Sequence, residues 1–209
     1  VSAQTVEIPG LHDAVIALRA GELVVYPTET FYGIAADPFS PSALKKLFAI
    51  KDRDPQKPIA LIAADAPMAF EVAADIPTIA RRLAMAFWPG PLTIVLLARA
   101  GFPAHLVGPD GGVGVRVSPH PVARALSQEL GHPITATSAN RSGEEPATTL
   151  QAARKSLGDK VKVFLEGGTL SASAPSTVIA CEAHGFRVIR VGAISEREVA
   201  AALSASALE

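Results

Sequence analysis

The chain is poor in cysteine, in aromatic residues and in net charge, and each shortage excludes something. Cys181 is the single cysteine, so no disulfide forms within the chain and no cysteine-based zinc cluster can assemble. That usage fits a reducing, cytoplasmic setting. Aromatics make up only 5% of the 209 residues, so the core has to be built from Ala, Val, Leu and Ile. A formal net charge of −1 argues against coating an extended polyanion, while leaving room for a local basic groove. The longest apolar run, Leu92 to Ala98, falls far short of the roughly 20 residues that span a bilayer, so no membrane partner is expected. The first seven residues carry neither a basic segment nor an apolar one, so no secretory leader is expected.

Common chemical signatures are missing as well. There is no G-x-x-x-x-G-K-[ST] loop and no G-x-G-x-x-G between a first strand and helix, which excludes P-loop and Rossmann nucleotide binding. Gly111-Gly112-Val113-Gly114 is glycine-rich but leads into a strand and reads as a turn. The five histidines are scattered, with no H-E-x-x-H, and no G-x-S-x-G elbow occurs. A dispersed Ser-His-Asp set is the weakest of the remaining enzyme readings.

Apolar residues reach 49%, enough for a full core. Helical periodicity over Pro9–Ala20, a cap at Ser40-Pro41, a helix over Asp75–Phe87, another from Ser118 to about Leu130, one over Thr148–Leu157 and a capping box at Ser195/Glu198 alternate with short apolar runs at Leu23–Tyr26, Ile59–Ala63, Leu92–Ala98, Val113–Val117, Pro133–Ala136, Val161–Glu166, Ser176–Ala180 and Phe186–Arg190. Thr28–Asp37 reads as a loop. Leu92–Ala98, without alternation, is expected to be central and covered on both faces. Strands alternating with helices predict one α/β domain over residues 5–209, and the closing pair of strands predicts a hairpin. The sheet is therefore expected to be a twisted mixed parallel and antiparallel one flanked by helices.

Polar residues gather where such strands end. Between Lys45 and Lys57 lie five basic side chains against two acidic ones. The sites singled out are Thr28-Glu29-Thr30, Lys51-x-Arg53-x-x-x-Lys57, Arg116, Thr137 to Gly143 with Ser138 and Asn140, Ser176-Thr177 and Arg190. Each alone has an ordinary reading: a solvated charged face, turn formers, an ion-paired strand arginine, an edge-strand charge. Together, cations and hydroxyls at strand ends suit an anionic ligand, with arginine offering a planar two-pronged donor to phosphate or carboxylate. With no unusual general base in view, phosphoryl or nucleotidyl transfer by positioning and charge neutralisation fits best.

At these residues the chain resembles the YrdC family of threonylcarbamoyl-AMP synthases. The matching segments are Pro27-Thr28-Glu29-Thr30-Phe31-Tyr32-Gly33, Lys51-Asp52-Arg53, Ser138-Ala139-Asn140 with Ser142-Gly143, Ser176-Thr177-Val178 and Arg190-x-Gly192. The resemblance runs from about Gly10 to Ile194 and is to the short, single-domain form. It implies a YrdC-like sheet with a concave basic face. It also implies formation of threonylcarbamoyl-AMP and pyrophosphate from L-threonine, bicarbonate and ATP, with Mg2+ carried on the ATP. The product would feed threonylcarbamoyladenosine formation in tRNA through a downstream threonylcarbamoyl transferase complex.

Residue by residue, the resemblance implies that Thr30, Arg116 and Ser176, with the backbone at Ala136, hold threonine. Arg53, Lys57, Ser138, Asn140 and Arg190 would hold ATP, and Lys51 and Arg53 would serve catalysis. The chain departs from the pattern at Ile62, where many members carry a histidine, and at Gly112, where some carry a hydroxyl. The loop after Gly143 is one residue longer. The competing reading is a factor that binds double-stranded RNA or the ribosome through the same basic concavity. A relative that activates carbamoyl phosphate is a third, although such domains sit in longer chains.

Overall fold

The computed structural model describes residues 8–52, 58–171, 174–182 and 185–205. The alternating pattern folds as one α/β unit around a nine-stranded mixed sheet. In chain order the elements are α1 (Leu11–Arg19), β1 (Val24–Tyr26), β2 (Gly33–Ala35), α2 (Pro41–Lys51), β3 (Ala60–Ala63), α3 (Ala66–Phe70), α4 (Thr78–Phe87), β4 (Leu92–Leu97), β5 (Gly112–Val117), α5 (Pro121–Leu130), β6 (Ile134–Ser138), α6 (Leu150–Leu157), β7 (Val163–Phe164), β8 (Thr177–Glu182), β9 (Gly185–Arg190) and α7 (Glu196–Ala205).

Local chemistry sets several boundaries. The Ser40 and Asp65 side chains accept hydrogen bonds from the Ala43 and Met68 amides, and proline in the first turn follows each cap. Ser195 and Glu198 form the expected capping box at α7, each satisfying the other's amide. Gly131 ends α5 in a left-handed conformation.

The sheet order is β7-β1-β2-β6-β3-β5-β4-β8-β9. Three pairings are parallel, β1 with β7, β3 with β5 and β4 with β8; the others are antiparallel. β8 and β9 form the expected hairpin, with a register irregularity at Val178/Ile179. Two expectations need correction. The Thr28–Asp37 stretch contains β2, a buried strand three residues long. β4 is interior to the sheet but is not covered on both faces, because Thr93 and Val95 look into a cavity and Leu97 is exposed.

The two faces of the sheet are treated unequally. On one, Val25, Ile34, Leu61, Val113, Val115 and Ile94 pack with the apolar sides of α2, α4, α6 and α7. On the other, α1 and α5 cover Val24, Tyr26, Ala35, Ile62, Ile134 and Val163. The remainder of that second face is the floor of the cavity. Among the described residues no helix is long and apolar enough to cross a membrane.

Candidate active site

The cavity measures about 870 Å³. Its floor follows from strand alternation. Along β5, the residues Val113, Val115 and Val117 face the first core, so Gly112, Gly114 and Arg116 face the other way. Ala60 and Ala136, paired across β3 and β6, continue the same layer. A floor of glycine and alanine leaves room that larger residues would fill. At Gly112 a Cβ would come 2.5 Å from Val95 Cγ1, and at Gly114 one would stand 3.2 Å from Thr93 Cγ2.

At one end of this floor stands Arg116, 7% exposed. Its Nε lies 3.0 Å from Glu29 Oε1, an ion pair without hydrogen-bond alignment. Its terminal nitrogens are 3.5 Å from Ser176 Oγ and from Thr30 Oγ1. Those distances are at the long limit of a hydrogen bond, so the fork is only weakly engaged by its neighbours. Thr30 is fixed by its turn: the Thr28 hydroxyl donates to the Phe31 carbonyl at 2.8 Å and accepts from the Thr30 amide at 3.1 Å, with the two threonine hydroxyls 3.0 Å apart. Ser176 Oγ lies 3.0 Å from Thr93 Oγ1. Arg190 joins the same node, donating from Nη2 to the Ser176 carbonyl at 2.8 Å and to its hydroxyl at 3.1 Å.

The structure thus brings Thr30, Arg116, Ser176 and Arg190 together, with Ala136 and Ser138 on the adjoining floor and wall. Arg53 and Lys57 lie outside the described residues; Pro58, which follows Lys57 in sequence, lines the cavity. Ile62, at the position where a histidine was considered, is fully buried under α1 and α5 and does not line the cavity.

Lys51 is buried against the end of β6. Only 5% exposed, its ammonium donates to the carbonyls of Ser138 (2.8 Å) and Asn140 (2.6 Å) and to Asn140 Oδ1 (3.2 Å). Asn140 in turn donates from Nδ2 to the carbonyls of Arg141 and Glu144. Neither Lys51 nor Asn140 is among the residues lining the cavity. The two therefore tie the end of α2 to the end of β6.

Three residues that sequence reasoning left unassigned belong to the site. Thr93 reaches the cavity because β4 presents one face to it. Glu29, seen only as part of a polar turn, is the ionic partner of Arg116. Ser118 donates to Glu29 Oε2 and accepts from the His120 amide at 3.1 Å. Ser118 stands two positions beyond Arg116, just past the end of β5. Burial lowers the pKa of His120, against a pull upward from Glu29. Its ring Nδ1 accepts from the Val122 amide and caps α5, which requires the neutral ring. Burial also raises the Tyr26 phenol far above its usual range; the hydroxyl stays protonated and donates to the Thr135 carbonyl.

Known proteins share these features. A family model described as "Telomere recombination" (Sua5, YciO, YrdC) matches residues 16–192. The threonylcarbamoyl-AMP synthase of Idiomarina loihiensis is 38% identical over 165 residues, covering 78% of this chain and 88% of that protein. The Vibrio cholerae threonylcarbamoyl-AMP synthase is 37% identical over 187 residues, covering 88% and 98%. Among solved structures, P. abyssi Sua5 complexed with L-threonine superposes with a TM-score of 0.87 at 32% identity, over 92% of this chain. The match spans 57% of that longer chain. With a family model matching most of its length and curated relatives above the identity at which a fold and family are shared, the chain belongs to the Sua5/YciO/YrdC family.

Proposed function

We propose that the protein is a threonylcarbamoyl-AMP synthase, a nucleotidyltransferase that joins L-threonine, bicarbonate and ATP. The observation that carries this reading is the weakly engaged Arg116 fork, flanked by the hydroxyls of Thr30 and Ser176 in the cavity. A guanidinium with its Nε side held by Glu29 presents its terminal nitrogens to a carboxylate, and hydroxyls beside it suit a hydroxy amino acid. The relatives named threonylcarbamoyl-AMP synthase, and the neighbour complexed with L-threonine, support the same assignment.

In this reading the threonine carboxylate pairs with Arg116 and its amine points along the floor toward Ala136. The amine nitrogen bonds to the carbon of bicarbonate with loss of water, giving an N-carboxylate. An oxygen of that carboxylate attacks the α-phosphorus of ATP, the bond to the β-phosphate oxygen breaks, and pyrophosphate leaves. ATP enters as its magnesium complex, the cation held by phosphate oxygens and water. Arg190 and Ser138, with Arg53 and Lys57 from the neighbouring segment, neutralise and orient the phosphates. Lys51 and Asn140 hold the Ser138 segment in place.

An activity that draws on ATP and supplies an activated carbamoyl for tRNA modification belongs in the cytoplasm. Its acyl-adenylate would be consumed by a downstream threonylcarbamoyl transferase complex that acts on tRNA. Pyrophosphate release tests the reading. With ATP, Mg2+ and bicarbonate, release depends on L-threonine. Equal release with and without threonine, at normal ATP binding, would overturn it.

A further inference from the structure

Thr28 and Thr30 line the cavity, whereas Glu29, between them in the turn from β1 to β2, is not among the lining residues. Its side chain turns behind Arg116 and is only 12% exposed. There its two oxygens are used differently. Oε1 lies 3.0 Å from Arg116 Nε, and Oε2 accepts the Ser118 hydroxyl. Ser118 is fully buried and is itself held by the His120 amide at 3.1 Å. Arg116 thus has an anion on its inner edge, and its terminal nitrogens face Thr30 and Ser176.

A lone arginine on a strand has several rotatable bonds and could turn its fork away from the cavity. An anion anchored at Nε removes most of those alternatives while leaving the terminal nitrogens for a ligand. We propose that Glu29, braced by Ser118, is a positioning residue for amino-acid binding: it aims the Arg116 fork at the substrate carboxylate without touching substrate itself. This rests on the functional reading given above.

The separation of charges supports the assignment. The Glu29–Arg116 pair is neutral before substrate arrives, which matches a zwitterionic amino acid better than a bare buried cation would. The effect belongs to amino-acid binding and not to the nucleotide, because Glu29 and Ser118 act through Arg116, the group that pairs with the threonine carboxylate in this reading.

The test is calorimetric titration of the full chain with L-threonine and, separately, with ATP, together with steady-state pyrophosphate release. Glu29→Asp draws the carboxylate back from Nε and should weaken threonine binding at least about tenfold, with ATP affinity unchanged and most of kcat recovered at saturating threonine. Glu29→Gln keeps an acceptor at the same reach and should bind threonine more tightly than Glu29→Asp does, though less tightly than the wild type. Ser118→Ala should shift threonine affinity in the same direction by a smaller factor, and it provides the reading if the Glu29 variants do not fold.

A fall in melting temperature with threonine affinity unchanged in the folded variants would make Glu29 merely structural and overturn the proposal. Tighter threonine binding by Glu29→Gln than by the wild type would mean that the carboxylate competes with the ligand, and would overturn it too. Wild-type protein that binds ATP but no threonine would overturn the functional reading, and this inference with it.

Discussion

Lys51 carries its charge into the protein rather than out of it. Its ammonium donates to two main-chain carbonyls and the Asn140 side chain; if the amine is removed the Asn140 groups lose this donor, while the Ser138 carbonyl keeps the Asn140 amide. Lys51→Met should therefore lower the unfolding free energy by about 1–3 kcal/mol, the cost of leaving such buried acceptors unsatisfied. Urea denaturation measures it. A lysine acting only on a triphosphate would weaken nucleotide binding and leave the denaturation midpoint where it was. The sequence showed Lys51 as one of a run of cations, which reads equally as a solvated face or a phosphate clamp. It is a buried tie because the partners sit 87 and 89 positions away in sequence, and no local pattern reports that distance. Arg116 was more legible: one charge in a run of valine and glycine stands out, and alternation alone put it opposite the valines. Its partner Glu29 was not, since a carboxylate between two threonines looks like any polar turn.

At the scale of elements, β5 does the most for function, and it does so with residues that have no side chains. Gly114 and Gly112 both pave the cavity floor, yet they stand in different surroundings. A side chain at Gly114 would meet Thr93 Cγ2 at 3.2 Å and Ala60 Cβ at 3.6 Å, contacts that slight shifts can relieve, whereas one at Gly112 would press on Val95 Cγ1 at 2.5 Å. Gly114→Val should fill the floor and weaken substrate binding by roughly tenfold, about 1.4 kcal/mol, with little change in melting temperature. Gly112→Ala should cost about 1–3 kcal/mol of stability through overpacking. Thermal melts alongside steady-state kinetics separate the two.

Gly114 fell within the strand expected from sequence, but Gly112 read as part of a turn, because a glycine-rich run is the usual mark of one. The true role of Gly112 depends on the strand beginning there and not after it. β2 was missed for a related reason. Three buried residues starting with glycine, inside a stretch rich in threonine, give too short a run for periodicity to register. The helices α2 and α7, with their caps, were legible because capping is decided within four residues.

For the whole molecule, alternation of strands and helices announced an α/β domain, and the closing hairpin announced a mixed sheet. The strand order could not be read the same way. β6 lies between β2 and β3, and β5 between β3 and β4, arrangements set by how the two helical layers share the sheet's faces. That sharing is what creates the site: helices α1 and α5 cover one end of a face and leave the other open. The loops carrying Thr30, Ser138 and Ser176 then converge on the uncovered part, although they are spread over more than a hundred residues of chain.

The claim that this open face makes threonylcarbamoyl-AMP is tested most directly by the product itself. Purified protein is incubated with ATP, Mg2+, L-threonine and isotope-labelled bicarbonate, and the mixture is analysed by mass spectrometry. The account predicts an adenylate that contains threonine and the labelled carbon, formed with pyrophosphate. An adenylate without the labelled carbon, or labelled carbon that never joins threonine and AMP while both substrates bind, would contradict it.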